Sequence, residues 1–186
     1  MCVITIDRRK GIHFLIEAYK ELKTDKKLVI AGAASDTDGY VKMLKEMAGN
    51  DPNIIFTGFV SGKLLEEIYS NAYVYVLPSK LEGMPLSLLE AMSYGNCVIG
   101  SDIAEIADVV EDKAILFKKA NVEDLKEKLQ MVCDDVELVE KYKSEASGYI
   151  CGRYNWEDVV NRTVEVYRGK KSCKEKLVEN SSVASI

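Results

Sequence analysis

The chain lacks the features that announce most other functional classes. No apolar run approaches the ~20 residues of a membrane span, and Met1 is not followed by the charged and apolar regions of a secretory signal. Basic residues are not in excess: 25 lysines and arginines face 30 acids, a net charge of −5, so there is no footprint for nucleic acid. Cys2, Cys97, Cys133, Cys151 and Cys173 are odd in number and never spaced Cys-x-x-Cys. That disfavours a disulfide framework or a zinc site and fits a reducing cytoplasm. Also missing are Gly-x-Gly-x-x-Gly, a Walker Gly-Lys-Ser/Thr and His-Glu-x-x-His. His13, the single histidine, opens an amphipathic stretch and reads as structural or surface, while Asp36 and Asp38 share a polar turn without a metal cage. With 47% hydrophobic residues in 186, the chain has enough apolar content for one domain with a sizeable core.

Short apolar runs alternate with amphipathic ones. Strand-like runs fall at 3–6, 27–31, 53–57, 73–77, 97–100 and 114–117. Helix-like runs fall at 12–22, 39–47, 62–70, 86–94, 104–110 and 122–132, with two terminal helices at 138–149 and 156–167. Alternation of this kind predicts βαβ units and a parallel sheet covered on both faces. Val74-Tyr75-Val76-Leu77 is apolar throughout, as a strand buried on both sides should be. The expected fold is therefore α/β, a doubly wound parallel sheet in a single Rossmann-like domain, with the ligand crevice at the carboxyl ends of the strands. The domain is expected over residues 1–168, with Trp156 and Tyr167 as packing anchors; the lysine- and serine-rich stretch 169–186 reads as a frayed tail.

One loop carries most of the information. Pro78-Ser79-Lys80-Leu81-Glu82-Gly83-Met84-Pro85-Leu86-Ser87-Leu88-Leu89-Glu90-Ala91-Met92 follows a strand and opens into a helix. Pro78 ends the strand, Gly83 relaxes the turn, and Pro85 suits a helix start. Backbone N–H groups at such a helix N-terminus form a seat for phosphate. Glu82 lies in the loop and Glu90 in an otherwise apolar helix, where a carboxylate either points outward or needs a hydrogen-bond partner.

Pro-Ser-x-x-Glu-Gly-x-Pro-Leu-Ser-x-x-Glu-Ala-Met resembles the donor-site signature of the retaining group 1 (family four) glycosyltransferases, which also spaces its two glutamates eight apart. Lys10-Gly11 with the helix after it, Leu28–Gly32, Ile55–Ser61, Asn71-Ala72 and Ala91–Gly95 are similar to further family segments, so the likeness runs from Val3 to Tyr167. It implies the C-terminal, nucleotide-sugar-binding half of a GT-B enzyme. The N-terminal acceptor domain is then expected to be missing, since Met1 leads directly into the first strand, and the chain reads either as a truncated frame or as a lone domain that pairs with a separate acceptor domain or chain.

The resemblance also implies roles. Lys10, with Glu82 one of two catalytic residues, neutralises the donor diphosphate, helped by N–H donors from the backbone stretch of Pro85, Leu86, Ser87 and Leu88. Glu90 accepts hydrogen bonds from the ribose; Gly58, Phe59 and Val60 meet the base, and Leu64 lines its pocket. Glu82 stands near the donor sugar, with Gly83 and Met84 offering backbone contacts. The family's chemistry is front-face departure and attack, so Glu82 positions the sugar and is no hydrolase-style nucleophile; a second carboxylate about 5 Å away, as retaining glycosidases need, is not evident. No metal or cofactor is implied. The partners are a nucleotide sugar and a glycan or lipid-linked acceptor, in the cytoplasm or at the inner membrane surface through the missing domain.

The chain departs from the family at one place: Ile4-Thr5 stands where a Gly-Arg pair is usual. Threonine cannot reproduce a guanidinium's bidentate hold on phosphate, although Arg8 or Arg9 could substitute if the turn is shorter. Two alternatives therefore stay open, a non-catalytic nucleotide-sugar-binding module or inactive fragment, and a flavodoxin-like interaction domain that would leave the Glu82–Met92 loop unexplained.

Overall fold

A computed structural model describes residues 2–34 and 38–169, apart from the side chains of residues 2–5, 34 and 38. The chain divides into two units, Met1–Ile150 and Cys151–Ile186. In the first, six strands form one sheet: β1 (Cys2–Ile6), β2 (Leu28–Ala34), β3 (Ile54–Gly58), β4 (Val74–Leu77), β5 (Cys97–Ser101) and β6 (Ile115–Phe117). Among the described residues, seven α-helices accompany them: α1 (Ile12–Lys20), α2 (Asp38–Ala48), α3 (Gly62–Ser70), α4 (Leu86–Ser93), α5 (Ala104–Val110), α6 (Val122–Asp134) and α7 (Val136–Arg153), the last running past the unit boundary. The second unit contains α8 (Trp156–Tyr167).

Every strand pair is parallel, from Cys2 beside Val29 through Val74 beside Cys97 to Ile99 beside Ile115. The spatial order is β3-β2-β1-β4-β5-β6. This is the doubly wound order whose direction of winding reverses between β1 and β4, and ligands of such sheets bind outside the carboxyl ends of those two strands.

The strands are apolar without alternation because both faces are covered. Val74, Val76, Cys97 and Ile99 join one core with Ile12, Leu15 and Ile16 of α1, Leu44 of α2 and Leu125 and Leu129 of α6. The intervening Tyr75 points oppositely, and its hydroxyl reaches Ser87 of α4. Leu15, Ile16, Leu125 and Leu129 are fully buried, each contributing roughly 1.5–3 kcal/mol by leaving water. Cys97 is the small core residue expected at the head of β5, and burial pushes its thiol up to about 12.

Trp156 and Tyr167 are not packing anchors among the described residues: both rings are largely exposed. The α8 helix is capped by Asn155, whose side chain accepts from Asp158 N–H, so its start follows a local signal that needs no apolar contact. The expected tail from residue 170 lies outside the described residues. Among the described residues no helix is long and apolar enough to cross a membrane.

Candidate donor-binding site

The crevice at the β1/β4 reversal is built by two loops that touch. After β1, Asp7 caps a short 3-10 turn, Arg8–Lys10, by accepting from Arg9 N–H at 2.7 Å. The Arg9 guanidinium returns to the same carboxylate through Nε at 3.0 Å and Nη2 at 2.9 Å. Those bonds hold the Asp7 carboxyl down to about 2. Gly11 then takes φ +67° and approaches the carbonyl of Pro78 so closely that a Cβ there would lie 2.1 Å from its oxygen. Beside it, Lys80 N–H donates to the Arg9 carbonyl at 2.7 Å.

This docking brings together residues 72 apart in sequence. Lys10 Nζ donates to both carboxylate oxygens of Glu82, at 2.7 and 2.8 Å, and the Ser79 hydroxyl donates to Oε1 at 2.6 Å. The Glu82 side chain is only 5% exposed and that of Lys10 20%, so the pair is charge-assisted and poorly screened. Ser79 is itself fully buried, its carbonyl accepting from Ser101 Oγ at the end of β5. Sequence reasoning missed Ser79 and Ser101: a serine after a strand-ending proline reads as loop, and only the sheet order brings β5 beneath it.

The start of α4 differs from the expected row of free donors. Pro85 has no N–H, and at φ −79°, ψ 66° it forms an inverse γ-turn in which Leu86 N–H bonds to Met84 O at 2.9 Å. Leu88 N–H bonds to Pro85 O at 2.9 Å. Among the described residues this leaves Gly83, Met84 and Ser87 with N–H groups that have no backbone acceptor. Gly83 is not in the left-handed region, and a Cβ there would meet open space, so the turn does not require glycine. Exposed Met84 and Leu86 flank it.

Glu90 is exposed, yet it has a partner: the Tyr69 hydroxyl donates to Oε2 at 2.9 Å. Gly58 ends β3. Phe59 is 76% exposed just beyond it, beside the half-buried Val60. Gly58 borders a cleft of about 800 Å³ shared with Ile6, Gly32, Phe56 and Lys45, on the β1–β3 side of the reversal; Lys10, Glu82 and Glu90 do not line it. Leu64 is exposed in the first turn of α3 and borders a groove with Lys26, Ile68 and Tyr73.

His13 lies behind the β1 loop, its Nδ1 2.8 Å from the Tyr40 hydroxyl, and burial lowers its pKa, with Lys80 and Arg8 adding to the effect. Arg8 stands over the Tyr40 ring at 5.3 Å. The Thr5 side chain, like Asp36, lies outside what is described; its backbone sits where the β1–β2 register shifts between Ile4 and Ile6. Among the described residues no three His, Cys, Asp or Glu side chains are grouped to hold a metal.

The family model for group 1 glycosyl transferases matches residues 1–149. The chain belongs to the group 1 glycosyltransferases. An uncharacterized glycosyltransferase of Methanocaldococcus jannaschii is 30% identical over 164 residues, covering 86% of this chain and 42% of that protein. The Anabaena protein Alr3699/HepE, solved with UDP and glucose, superposes with a TM-score of 0.82 at 18% identity over 90% of this chain and 48% of that one. The C-terminal domain of a group 1 glycosyl transferase, LpcC, from Francisella tularensis superposes with a TM-score of 0.72 at 25% identity, covering 83% of this chain and 85% of that one. The chain thus has the fold of the C-terminal half of a GT-B glycosyltransferase, and it spans less than half the length of curated relatives it matches.

Proposed function

We propose that this chain is the donor-binding half of a retaining glycosyltransferase, which transfers a sugar from a nucleoside diphosphate sugar to a glycan, a lipid-linked glycan or another glycoside. The observation that carries the reading is the Lys10–Glu82–Ser79 cluster at the β1/β4 reversal, one loop away from the Glu90 carboxylate. The Anabaena neighbour's UDP and glucose support it.

In this reading the donor diphosphate takes Lys10 from Glu82. The ammonium then faces the phosphate oxygens, where negative charge grows as the glycosidic bond breaks, so the contact strengthens in the transition state. The N–H groups of Gly83, Met84 and Ser87, at the positive end of α4, add to that stabilisation. Arg9 is held on Asp7 through Nε and Nη2, so while that pair stands only its remaining N–H groups can face the phosphate. Released from Lys10, Glu82 accepts hydrogen bonds from the sugar while Ser79 keeps its carboxylate in place. Glu90 holds the ribose, with Gly58, Phe59, Val60 and Leu64 toward the base. The acceptor approaches the same face of the sugar from a partner domain, and the leaving diphosphate takes its proton.

Joining this chain to the acceptor-binding half of a related group 1 enzyme tests the proposal. The expected result is transfer with the donor's anomeric configuration retained, seen by NMR of the product, and its loss with Glu82→Gln. Nucleotide binding without transfer in the joined protein would instead favour a non-catalytic binding module.

A further inference from the structure

An exposed glutamate on a helix ordinarily samples many rotamers, and ordering it on a ligand costs affinity. Glu90 is held before any ligand arrives. Its Oε2 accepts from Tyr69 of α3, a residue only 1% exposed. The tyrosine ring has little freedom: it stacks on Tyr94 at 5.3 Å with 13° between planes, and lies 6.1 Å from the Tyr75 ring. Its backbone is tied as well, since Asn96 Nδ2 donates to the Tyr69 carbonyl at 3.0 Å and to Ala91 O at 2.9 Å.

The phenol has one proton. It lies 2.9 Å from Glu90 Oε2 and 3.3 Å from the Ser87 carbonyl, and the charged, nearer acceptor takes it. Oε1 of the exposed Glu90 has no hydrogen-bond partner among the described residues and can accept from a ligand hydroxyl. Tyr75 completes the arrangement by donating to Ser87 Oγ at 2.8 Å, so two buried tyrosines from α3 and β4 brace the face of α4 that carries the carboxylate.

We propose that Tyr69 is a positioning residue that presents the Glu90 carboxylate to the ribose of the bound nucleotide, and thereby sets the preference for ribose over deoxyribose. This rests on the donor-site reading above. A buried tyrosine that only fills the core would also find some hydrogen-bond partner. The two roles differ in what they do to ribose selectivity, because packing alone cannot distinguish nucleotides that differ by one sugar hydroxyl.

The test is calorimetric titration of UDP, GDP and ADP, each beside its 2′-deoxy and 3′-deoxy forms, into the chain and into Tyr69→Phe, Glu90→Gln and the double variant. Tyr69→Phe keeps the ring and its stack. The expected result is a five- to tenfold loss of ribonucleotide affinity, little change for at least one deoxy form, and a double variant within twofold of Glu90→Gln alone. Tyr94→Leu, which loosens the stack but keeps the Tyr69 hydroxyl, should give a smaller loss in the same direction and serves if Tyr69→Phe does not fold. Unchanged ribonucleotide affinity in Tyr69→Phe, equal losses for ribose and both deoxyribose forms, or losses that add in the double variant would overturn the positioning role. In those cases the donor site itself survives if Glu90→Gln still weakens binding. Failure of all nucleotides to bind the unmodified chain would remove both readings.

Discussion

Gly11→Ala is expected to destabilise the chain by about 3 kcal/mol, combining the left-handed penalty for an L side chain with overpacking against backbone. The added Cβ would sit 2.1 Å from Pro78 O, 3.1 Å from Pro78 C and 3.2 Å from Phe14 Cδ2. A flexible side chain could move aside, but Pro78 ends the central strand β4 and cannot. The β1 loop must retreat instead, breaking the Lys80–Arg9 backbone bond and pulling Lys10 from Glu82. For a chain of this size the loss corresponds to on the order of 10 °C in Tm. Gly83→Ala is the matched control, since its Cβ meets open space, and it should leave Tm within about 1 °C. Thermal unfolding of the two variants side by side checks the prediction. Equal Tm values would mean that the two loops are not docked as described.

The second large effect is asymmetric. Lys10→Met strands the Glu82 carboxylate, 5% exposed, with only the Ser79 hydroxyl to stabilise its charge, and should cost about 2–3 kcal/mol. Glu82→Gln leaves Lys10 with 20% of its side chain already at solvent, and should cost about 1 kcal/mol. The double variant, with no buried charge left unpaired, should recover much of the Lys10→Met loss, a coupling that a double-mutant cycle in urea measures directly. Lys10→Met should also weaken nucleoside diphosphate binding by about 100-fold, equivalent to about 2.7 kcal/mol. A Lys10→Met variant no less stable than Glu82→Gln would contradict the burial of the pair.

Much of the fold was readable along the chain. Among the described residues, the six strands and eight α-helices fall where the apolar spacing places them, with α3, α5 and α8 matching at both ends. The boundaries that moved have local causes. The α1 helix stops at Lys20, two residues before its apolar spacing ends, and β2 runs on through Gly32, whose φ of +152° is one that glycine adopts without strain. What periodicity could not supply is adjacency. The order β3-β2-β1-β4-β5-β6 is a tertiary fact, and only that order sets Lys10 against Glu82 and Ser101 beneath Ser79. Tyr69 and Tyr75 are both buried, but sequence spacing does not reveal that their hydroxyls converge on α4. Phe59 stands in solvent for a reason that only the sheet order gives: β3 is the edge strand, and the chain turns outward at Gly58, φ +70°.

The measurement that bears most directly on the proposed site is calorimetric titration of UDP, GDP and ADP into the chain and into Glu90→Gln. Glu90 is exposed and bonded to Tyr69 alone among the described side chains, so its neutral isostere should leave stability within about 0.5 kcal/mol. One of the three nucleotides is expected to bind, and Glu90→Gln to weaken it at least about tenfold, the ~1.4 kcal/mol expected of a lost charge-assisted hydrogen bond. Binding unchanged in the variant, or no binding of any nucleotide, would contradict a donor site at the β1/β4 reversal.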